Sequence, residues 1–461
     1  MTIVGLARLQ FGVTTVYHFL FVPLTIGLAF LLAVLESWYV ATGDAAYRKL
    51  VDFFGRLFLI NFAVGVVTGI LQEFQFGMNW AGYSRFVGDV FGAPLAVEAL
   101  LAFFLESTFI GVWIFGWDVL PPRLHALTMW LVALGTSISA YWILTANAFM
   151  QEPVGYALRH GRAEMTDFFA LLANPQLWVE FPHVEFAALA TGAFFLAGIS
   201  AYHLARGRQV TLFDRSFRLG VVVALVASLL VVVVGHAQAR HLVRAQPMKL
   251  AAAEALWHTS PPRAPWILYA SIDSVHRRNS HVLAVPDLLS ILAYNRTVGR
   301  VPGIDAVQAD YVRRFGPGDY VPPVFVTFWS FRLMVYAGSA MVLLAAWGVW
   351  LVAKERHLRA RRYLRAMVWA VGLPYLANIT GWLMTEVGRQ PWTVFGLERT
   401  PEGVSAGVGA GAVGTTLVGF TLMYGAVAVA GTYLVVRYVR RGPGASEPRA
   451  APAPSASPEP A

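Results

Sequence analysis

Nine separate stretches of about 20 or more predominantly apolar residues dominate this chain, and each is long enough to cross a bilayer as a helix. They lie near 11–40, 52–77, 92–118, 124–149, 183–205, 216–236, 326–353, 366–388 and 411–436. In hydrocarbon every backbone polar group needs an internal partner, so such runs fold as helices. The fold class is therefore an all-α polytopic membrane protein with about nine transmembrane helices. Composition agrees: 57% of the 461 residues are hydrophobic and 13% are charged, about half the charge of a soluble domain. A soluble enzyme, a coiled coil and a disordered chain are excluded. With no cysteine, iron–sulfur clusters, disulfides and thiolate-bound zinc are excluded as well.

An odd number of spans puts the termini on opposite sides. One set of short loops, with the C-terminal segment, carries 17 Lys and Arg, from Arg48 and Lys49 to Arg440, Arg441 and Arg449, and the other carries 6. The positive-inside rule then places the N-terminus outside and the C-terminus inside. The same distribution accounts for the net charge of +9 without nucleic acid as a partner. The opening residues run straight into a span with no cleavage pattern, so no cleavable leader is expected. The expected organisation is helices 1–6 over 1–236, an extracytoplasmic loop over 237–325, helices 7–9 over 326–440 and a disordered cytoplasmic tail over 441–461.

An ionisable group near the bilayer centre costs roughly 2.5–3.5 kcal/mol, so each one within a span needs a reason. Glu36, Arg56 and Glu73 lie near span ends, where snorkelling or a structural ion pair suffices. His18, His183, Arg332, Met334, Glu98 and Glu386 fall toward the outer end of their spans, with Glu106 at mid-depth. His, Met and carboxylates clustered near a membrane surface suit haem iron: a His/Met pair gives a low-spin electron-transfer centre, and a single His or carboxylate leaves a position open for dioxygen. A lone His serves equally well in a helix–helix hydrogen bond, and spacing does not single out Met334 among 11 methionines. Glu98 and Glu106 are eight apart, about 12 Å of rise and about 80° of rotation, so they share roughly one side and suit a proton relay. Ser139 would extend that path inward or simply pack helices. Lys249 and Glu254, in QPMKLAAAEALW, read from pattern alone as a solvated loop helix; the functional alternative is a site for the oxygens and protons of a quinol.

With RLQFGVTTVYHFLFVPLTIG, GDVFGAPLAVEALLAFFLESTF, WLVALGTSISAYWIL, QPMKLAAAEALW, FRLMVYAG and GWLMTEVGRQPW in this order, the chain resembles subunit I of the cytochrome bd-type quinol oxidases up to about residue 440. The resemblance implies a terminal respiratory oxidase of the bacterial cytoplasmic membrane. It would oxidise ubiquinol or menaquinol outside, reduce dioxygen to water, and take protons from the cytoplasm without pumping. His183 and Met334 match the axial ligands of haem b558, with Arg332 beside it. His18 and Glu386 match ligands of the high-spin pair, haem b595 and haem d (or a third haem b), and which ligand serves which is left open. Glu98 matches a carboxylate at that pair, Glu106 and Ser139 the inward proton path, and Lys249 and Glu254 the quinol site. Trp382 and Arg389 flank Glu386 and are expected to touch haem. A second integral-membrane subunit is the implied partner, with a small single-span chain as a further one. The segment between EALW and PPVF is short, as in family members without the long loop insertion. Two rivals stand beside this reading: a haem-b electron carrier without oxygen chemistry, which would want four His in paired spans, and an ion-coupled transporter, which would want internal repeats and broken helices.

Overall fold

The computed structural model describes residues 2–444. Among them, nine segments are long and apolar enough to cross a membrane, matching the nine runs of the sequence. In chain order the helices are α1 (Ile3–Phe19), α2 (Val22–Thr42), α3 (Ala45–Met78), α4 (Ala81–Val97), α5 (Phe104–Phe115), α6 (Pro122–Gln151), α7 (Phe168–Leu172), α8 (Pro175–Leu204) and α9 (Val210–Ala245). There follow α10 (Pro247–Ala253), α11 (Leu288–Tyr294), α12 (Ile304–Phe315), α13 (Val324–Ala353), α14 (Arg361–Ala370), α15 (Gly372–Val387), α16 (Thr400–Gly403) and α17 (Ala410–Arg441). Three antiparallel hairpins, β1–β2 (Tyr156–Arg159, Arg162–Met165), β3–β4 (Trp266–Asp273, Arg278–Val285) and β5–β6 (Trp392–Val394, Glu398–Arg399), lie in the connections.

Local chemistry sets the helix ends. Gly43 adopts the left-handed conformation that closes α2, and the Asp44 side chain caps α3 by accepting from Ala46 N at 2.9 Å. Asn174 caps α8 in the same way through Gln176 N, with Pro175 at the first helical position. Within the membrane the helices meet through small residues. A Cβ on Gly27 would fall 2.1 Å from the carbonyl oxygen of Ala188, and one on Gly192 would fall 2.5 Å from the carbonyl carbon of Gly27. α2 and α8 therefore touch backbone to backbone, the close approach that only glycine permits. Around this contact a continuous apolar core runs from Leu28, Leu32 and Leu35 through Phe54 and Phe58 to Phe194, Phe213 and Met367.

The spans are longer than the apolar runs alone delimit, and this moves the polar residues deeper into their helices. α1 starts at Ile3, so His18 sits at its far end, beside the interruption at Leu20 and Phe21, rather than two turns in. α8 starts at Pro175, which puts His183 more than two turns inside it, not at its beginning. α9 continues to Ala245, beyond the expected end at 236. Polar terminal turns such as QARHLVRA are helical here although their hydropathy reads as loop. The expected tail falls mostly on residues 445–461, outside the described residues, and its first position, Arg441, still belongs to α17.

Candidate functional site

The third spanning segment is interrupted by a π-helical turn, Glu98–Phe103, between α4 and α5. A π turn takes up about one extra residue, roughly 100° of lost rotation, so the 80° separation expected for Glu98 and Glu106 in a regular helix closes to about 20°. The two carboxylates consequently lie more nearly on one face than an unbroken helix would put them. α6 supplies the opposite wall. Ser139 Oγ donates to Glu98 Oε1 at 2.7 Å, and one turn away Gly135 abuts the Glu106 backbone, with 3.1 Å between its would-be Cβ and Glu106 N. Glu106 is buried and Glu98 half-buried, and both Glu73 and Glu106 feel the charge of Glu98.

His18 carries a hydrogen-bond arrangement that fixes its tautomer. The Thr68 hydroxyl donates to the Gly65 carbonyl at 2.9 Å, so at 3.1 Å from His18 Nδ1 it must accept. Nδ1 therefore holds the proton, and the lone pair of Nε2 is left for a ligand, as outer-shell partners do for iron-binding histidines. The neighbouring Phe19 stacks on Trp382 of α15 with centroids 5.3 Å apart, and Trp382 lies one turn before Glu386. These contacts bring the His18 and Glu386 ends of α1 and α15 together. Glu386 accepts from Asn147 Nδ2 at 3.1 Å and is ion-paired with the buried Arg389.

His183 has its Nδ1 buried without a well-formed hydrogen bond, although the Val231 backbone of α9 faces the ring, and a Cβ on Gly235 of α9 would approach Cε1 to 3.1 Å. Met334 turns its sulfur toward α15, where a Cβ on Gly381 would come within 2.9 Å of Sδ. A buried imidazole without a well-formed hydrogen bond, a tautomer-fixed imidazole and a thioether beside glycine form a donor set that fits haem iron, which needs only one or two axial ligands from the protein. No group of three or more His, Cys, Asp and Glu able to hold a bare metal ion occurs among the described residues.

The loop residues Lys249 and Glu254 are not solvated. Each is almost fully buried, at 4% and 2% exposure, on and just after α10. Lys249 Nζ donates to Gln151 Oε1 at 2.5 Å. Burial, reinforced by Arg389, brings its ammonium down to about 7. Burial likewise holds the Glu254 carboxyl above the ordinary range, against the pull of Arg332. Glu254 Oε2 accepts from Arg332 Nη2 at 2.6 Å, and Arg332 Nε donates to the Ile267 carbonyl of β3 at 2.5 Å. In this structure the guanidinium thus faces the loop carboxylate, two residues from Met334.

Several polar residues escape a sequence reading. Of the two readings for Glu36, the structural pair holds and snorkelling does not: it is 1% exposed, paired with His125, which the sequence did not single out, and accepts from Trp113 Nε1 at 2.8 Å. Glu185 accepts from Ser137 at 3.0 Å, and Glu180, fully enclosed, accepts from Gln176 at 3.1 Å. Gln151 and Glu180 lie just outside the apolar runs 124–149 and 183–205, and Asn147 lies near the end of the first, so only their convergence in space reveals them.

The family of cytochrome bd terminal oxidase subunit I matches residues 6–443. The chain belongs to this family. It is 55% identical over 437 residues, 95% of this chain and 93% of the relative, to the cytochrome bd ubiquinol oxidase subunit 1 of Bacillus subtilis (strain 168). It is 39% identical over 508 aligned positions, 96% of this chain and 98% of the relative, to the cytochrome bd-II ubiquinol oxidase subunit 1 of Escherichia coli (strain K12). Among solved structures, the bd oxidase from Geobacillus thermodenitrificans superposes with a TM-score of 0.87 at 31% identity, over 96% of this chain and 99% of that one. The subunit is thus a member of a haem-protein family and a multi-pass bacterial membrane protein, and its described residues include nine helices long and apolar enough to cross a membrane.

Proposed function

We propose that this subunit oxidises quinol at the outer membrane face and reduces dioxygen to water with protons drawn from the cytoplasm, without pumping. The observation that carries the reading is the buried Glu254–Arg332 pair, which ties the loop carboxylate to the helix that bears Met334. When bound, a low-spin haem b558 at His183 and Met334 and a high-spin pair, haem b595 with haem d or a third haem b, at His18 and Glu386 supply the electron transfer and the oxygen chemistry.

Lys249 and Glu254 take the two quinol oxygens. Lys249 Nζ, with protonated and neutral forms balanced near neutrality, accepts a proton there, and Glu254, held by Arg332 and by Trp266 Nε1 at 3.3 Å, orients the ring. Burial of both side chains keeps water from competing for these contacts. On the other side, Glu106 receives a proton from the cytoplasmic half and passes it toward Glu98, whose Oε1 is positioned by Ser139. Arg389 pairs with Glu386 and holds it in place, and Trp382 fixes the approach of α1 to α15. Charge separates because the quinol protons leave on the side opposite to the one that supplies Glu106. The spans 81–115 and 410–441 leave most of their apolar surface uncovered by this chain, which fits an integral-membrane second subunit and a small single-span chain as partners.

The test is the spectrum of the purified complex, dithionite-reduced minus air-oxidised, with and without carbon monoxide. Low-spin b bands with a far-red chlorin band that responds to carbon monoxide are expected. Absence of the far-red band assigns the third site to haem b, and absence of all haem bands overturns the proposal.

A further inference from the structure

At the outer end of α6, two amide side chains one helical turn apart join Lys249 to Glu386. Gln151 Oε1 accepts from Lys249 Nζ at 2.5 Å and from Gln246 Nε2 at 2.9 Å. An ammonium has hydrogens to give and no lone pair to offer, so the Gln151 oxygen must face it and the Gln151 nitrogen must face away. That nitrogen donates to Asn147 Oδ1 at 3.2 Å. Asn147 then has its own nitrogen directed at Glu386 Oε1, 3.1 Å away. The far end imposes the same order, because a carboxylate only accepts. Cation and anion therefore agree on the orientation of both amides, and every donor in the chain points from Lys249 toward Glu386.

The surroundings keep this chain dry and balanced. Gln151 is fully buried, Lys249, Arg389 and Glu180 are each 4% exposed, and Asn147 is 8% exposed. Lys249 lies within electrostatic reach of Arg389, Glu386 and Glu180, so two cations meet two carboxylates. In so enclosed a site aligned hydrogen bonds polarise one another, and each strengthens the next. Gln246 also donates to the Gln151 backbone carbonyl at 2.6 Å, which fixes the loop onto the last turn of α6.

We infer that Gln151 and Asn147 are positioning residues that couple the quinol-loop lysine to the carboxylate of Glu386, so that a change at Lys249 Nζ alters hydrogen-bond donation to Glu386 Oε1. This rests on the proposed roles of Lys249 at the quinol and of Glu386 at iron. Before any proton moves, a quinol oxygen arriving at Lys249 Nζ competes with Gln151 for the N–H groups of that amine. Gln151 is then less polarised, Asn147 donates more weakly, and Glu386 becomes a more basic carboxylate. Outer-shell donors tune a metal ligand in this way. A more basic ligand favours the oxidised metal, so occupancy of the outer site lowers the potential of the iron that Glu386 meets. The signal travels through side chains of α6 and involves neither Arg332 nor Met334.

Potentiometry of the high-spin haem bands in the purified oxidase tests this. Asn147→Leu, which removes the donor to Glu386, is expected to lower the midpoint. Lys249→Met is expected to shift it in the same direction, and that shift is expected to disappear when Gln151 is Met. An equal Lys249→Met shift with and without Gln151, or no shift at all, overturns the coupling. Gln151→Glu keeps the acceptor for Lys249 and deletes the donor to Asn147, and it carries the same comparison if Gln151→Met fails to assemble. The quinol KM separates the two readings: if Lys249→Met leaves it unchanged, the assignment of Lys249 to quinol fails, whereas a raised KM with an additive midpoint shift sinks only the coupling.

Discussion

Arg332 and Glu254 form an ion pair of 2.6 Å at 0% and 2% exposure, with the guanidinium enclosed by the rings of Phe328, Phe331 and Trp266. The pair joins a spanning helix to the loop that carries Glu254, and burial leaves each charge dependent on the other. Removing one partner of such a pair costs about 3–5 kcal/mol. Arg332→Leu is therefore expected to unfold the loop–α13 junction and to lower the thermal unfolding temperature of the complex measurably. Glu254→Gln keeps a hydrogen-bond acceptor for Arg332, so it should assemble while raising the quinol KM about 10-fold or more. Thermal unfolding and quinol kinetics on both variants check this, and a wild-type melting temperature for Arg332→Leu would contradict it.

With Lys249 as the proposed quinol base, the activity should depend on pH with a defined sign. The folded-state value of Lys249 near 7 lies well below that of a free lysine, so the amine is charged below about pH 7 and neutral above it. As a proton acceptor from quinol it acts only when neutral. kcat/KM for quinol is expected to rise as pH increases through about 7 and then level off, and Lys249→Met should abolish that inflection along with most of the activity. The cost of burying the amine has the opposite consequence for stability. It is greatest below about 7, where folded and unfolded states are both charged, and it fades toward the unfolded value near 10.5. A quinol profile that falls through pH 7 would remove Lys249 from the role of base.

Glu98, Glu106 and Ser139 should separate by rank. Glu106→Gln removes the proposed proton carrier, so dioxygen reduction and proton uptake in proteoliposomes are both expected to fall about 10²-fold or more. Glu98→Gln keeps the acceptor for Ser139 and loses the proton, with a comparable effect. Ser139→Ala removes only the 2.7 Å bond to Glu98 and should cost about tenfold or less. Intact uptake in Glu106→Gln would end the relay assignment.

Legibility of this fold and site divides along physical lines. The nine spans were readable because hydrocarbon leaves a backbone one solution, and the odd ionisable residues stood out against it. His18 and His183 were legible as rare, while Met334 was not, since a thioether is ordinary packing material; its place beside Gly381 is visible only in space. The π-helical turn at Glu98 leaves no mark in hydropathy, although it brings Glu98 and Glu106 closer to one face. Lys249 and Glu254 sat in a loop by pattern, and what buries them, Gln151, Trp266 and Arg332, lies 12 to 98 residues away in sequence. His125, Glu180 and Asn147 were missed for the same reason: a polar residue near a span end looks solvated until its neighbours from other helices are known.

The proposed iron ligands yield the sharpest spectroscopic forecast. His183→Ala or Met334→Leu should bleach the low-spin b bands and leave the high-spin bands in place. His18→Ala and Glu386→Gln should do the reverse, each perturbing the high-spin region. Glu386→Gln also strands the buried Arg389, which is 4% exposed and loses its anionic partner, so this variant should be the less stable of the two. Loss of all haem in His183→Ala, with folding intact by circular dichroism, would mean that the sites are not independent.

The glycine pair between α2 and α8 makes a prediction that owes nothing to haem. A Cβ on Gly192 falls 2.5 Å from a backbone carbonyl carbon, and no rotamer can move a backbone atom out of the way. Gly192→Ala must push the two helices apart and open the apolar core around Phe58 and Phe194. Overpacking of this kind typically costs about 1–3 kcal/mol. A lower unfolding temperature and a reduced yield of haem-loaded complex are expected, with Gly192→Leu worse than Gly192→Ala. By contrast Gly338, with open space on every side of its would-be Cβ, should accept alanine without loss in the same assay. Equal stability of the Gly192 and Gly338 variants would show that α2 and α8 slide past each other more readily than their backbone contact implies.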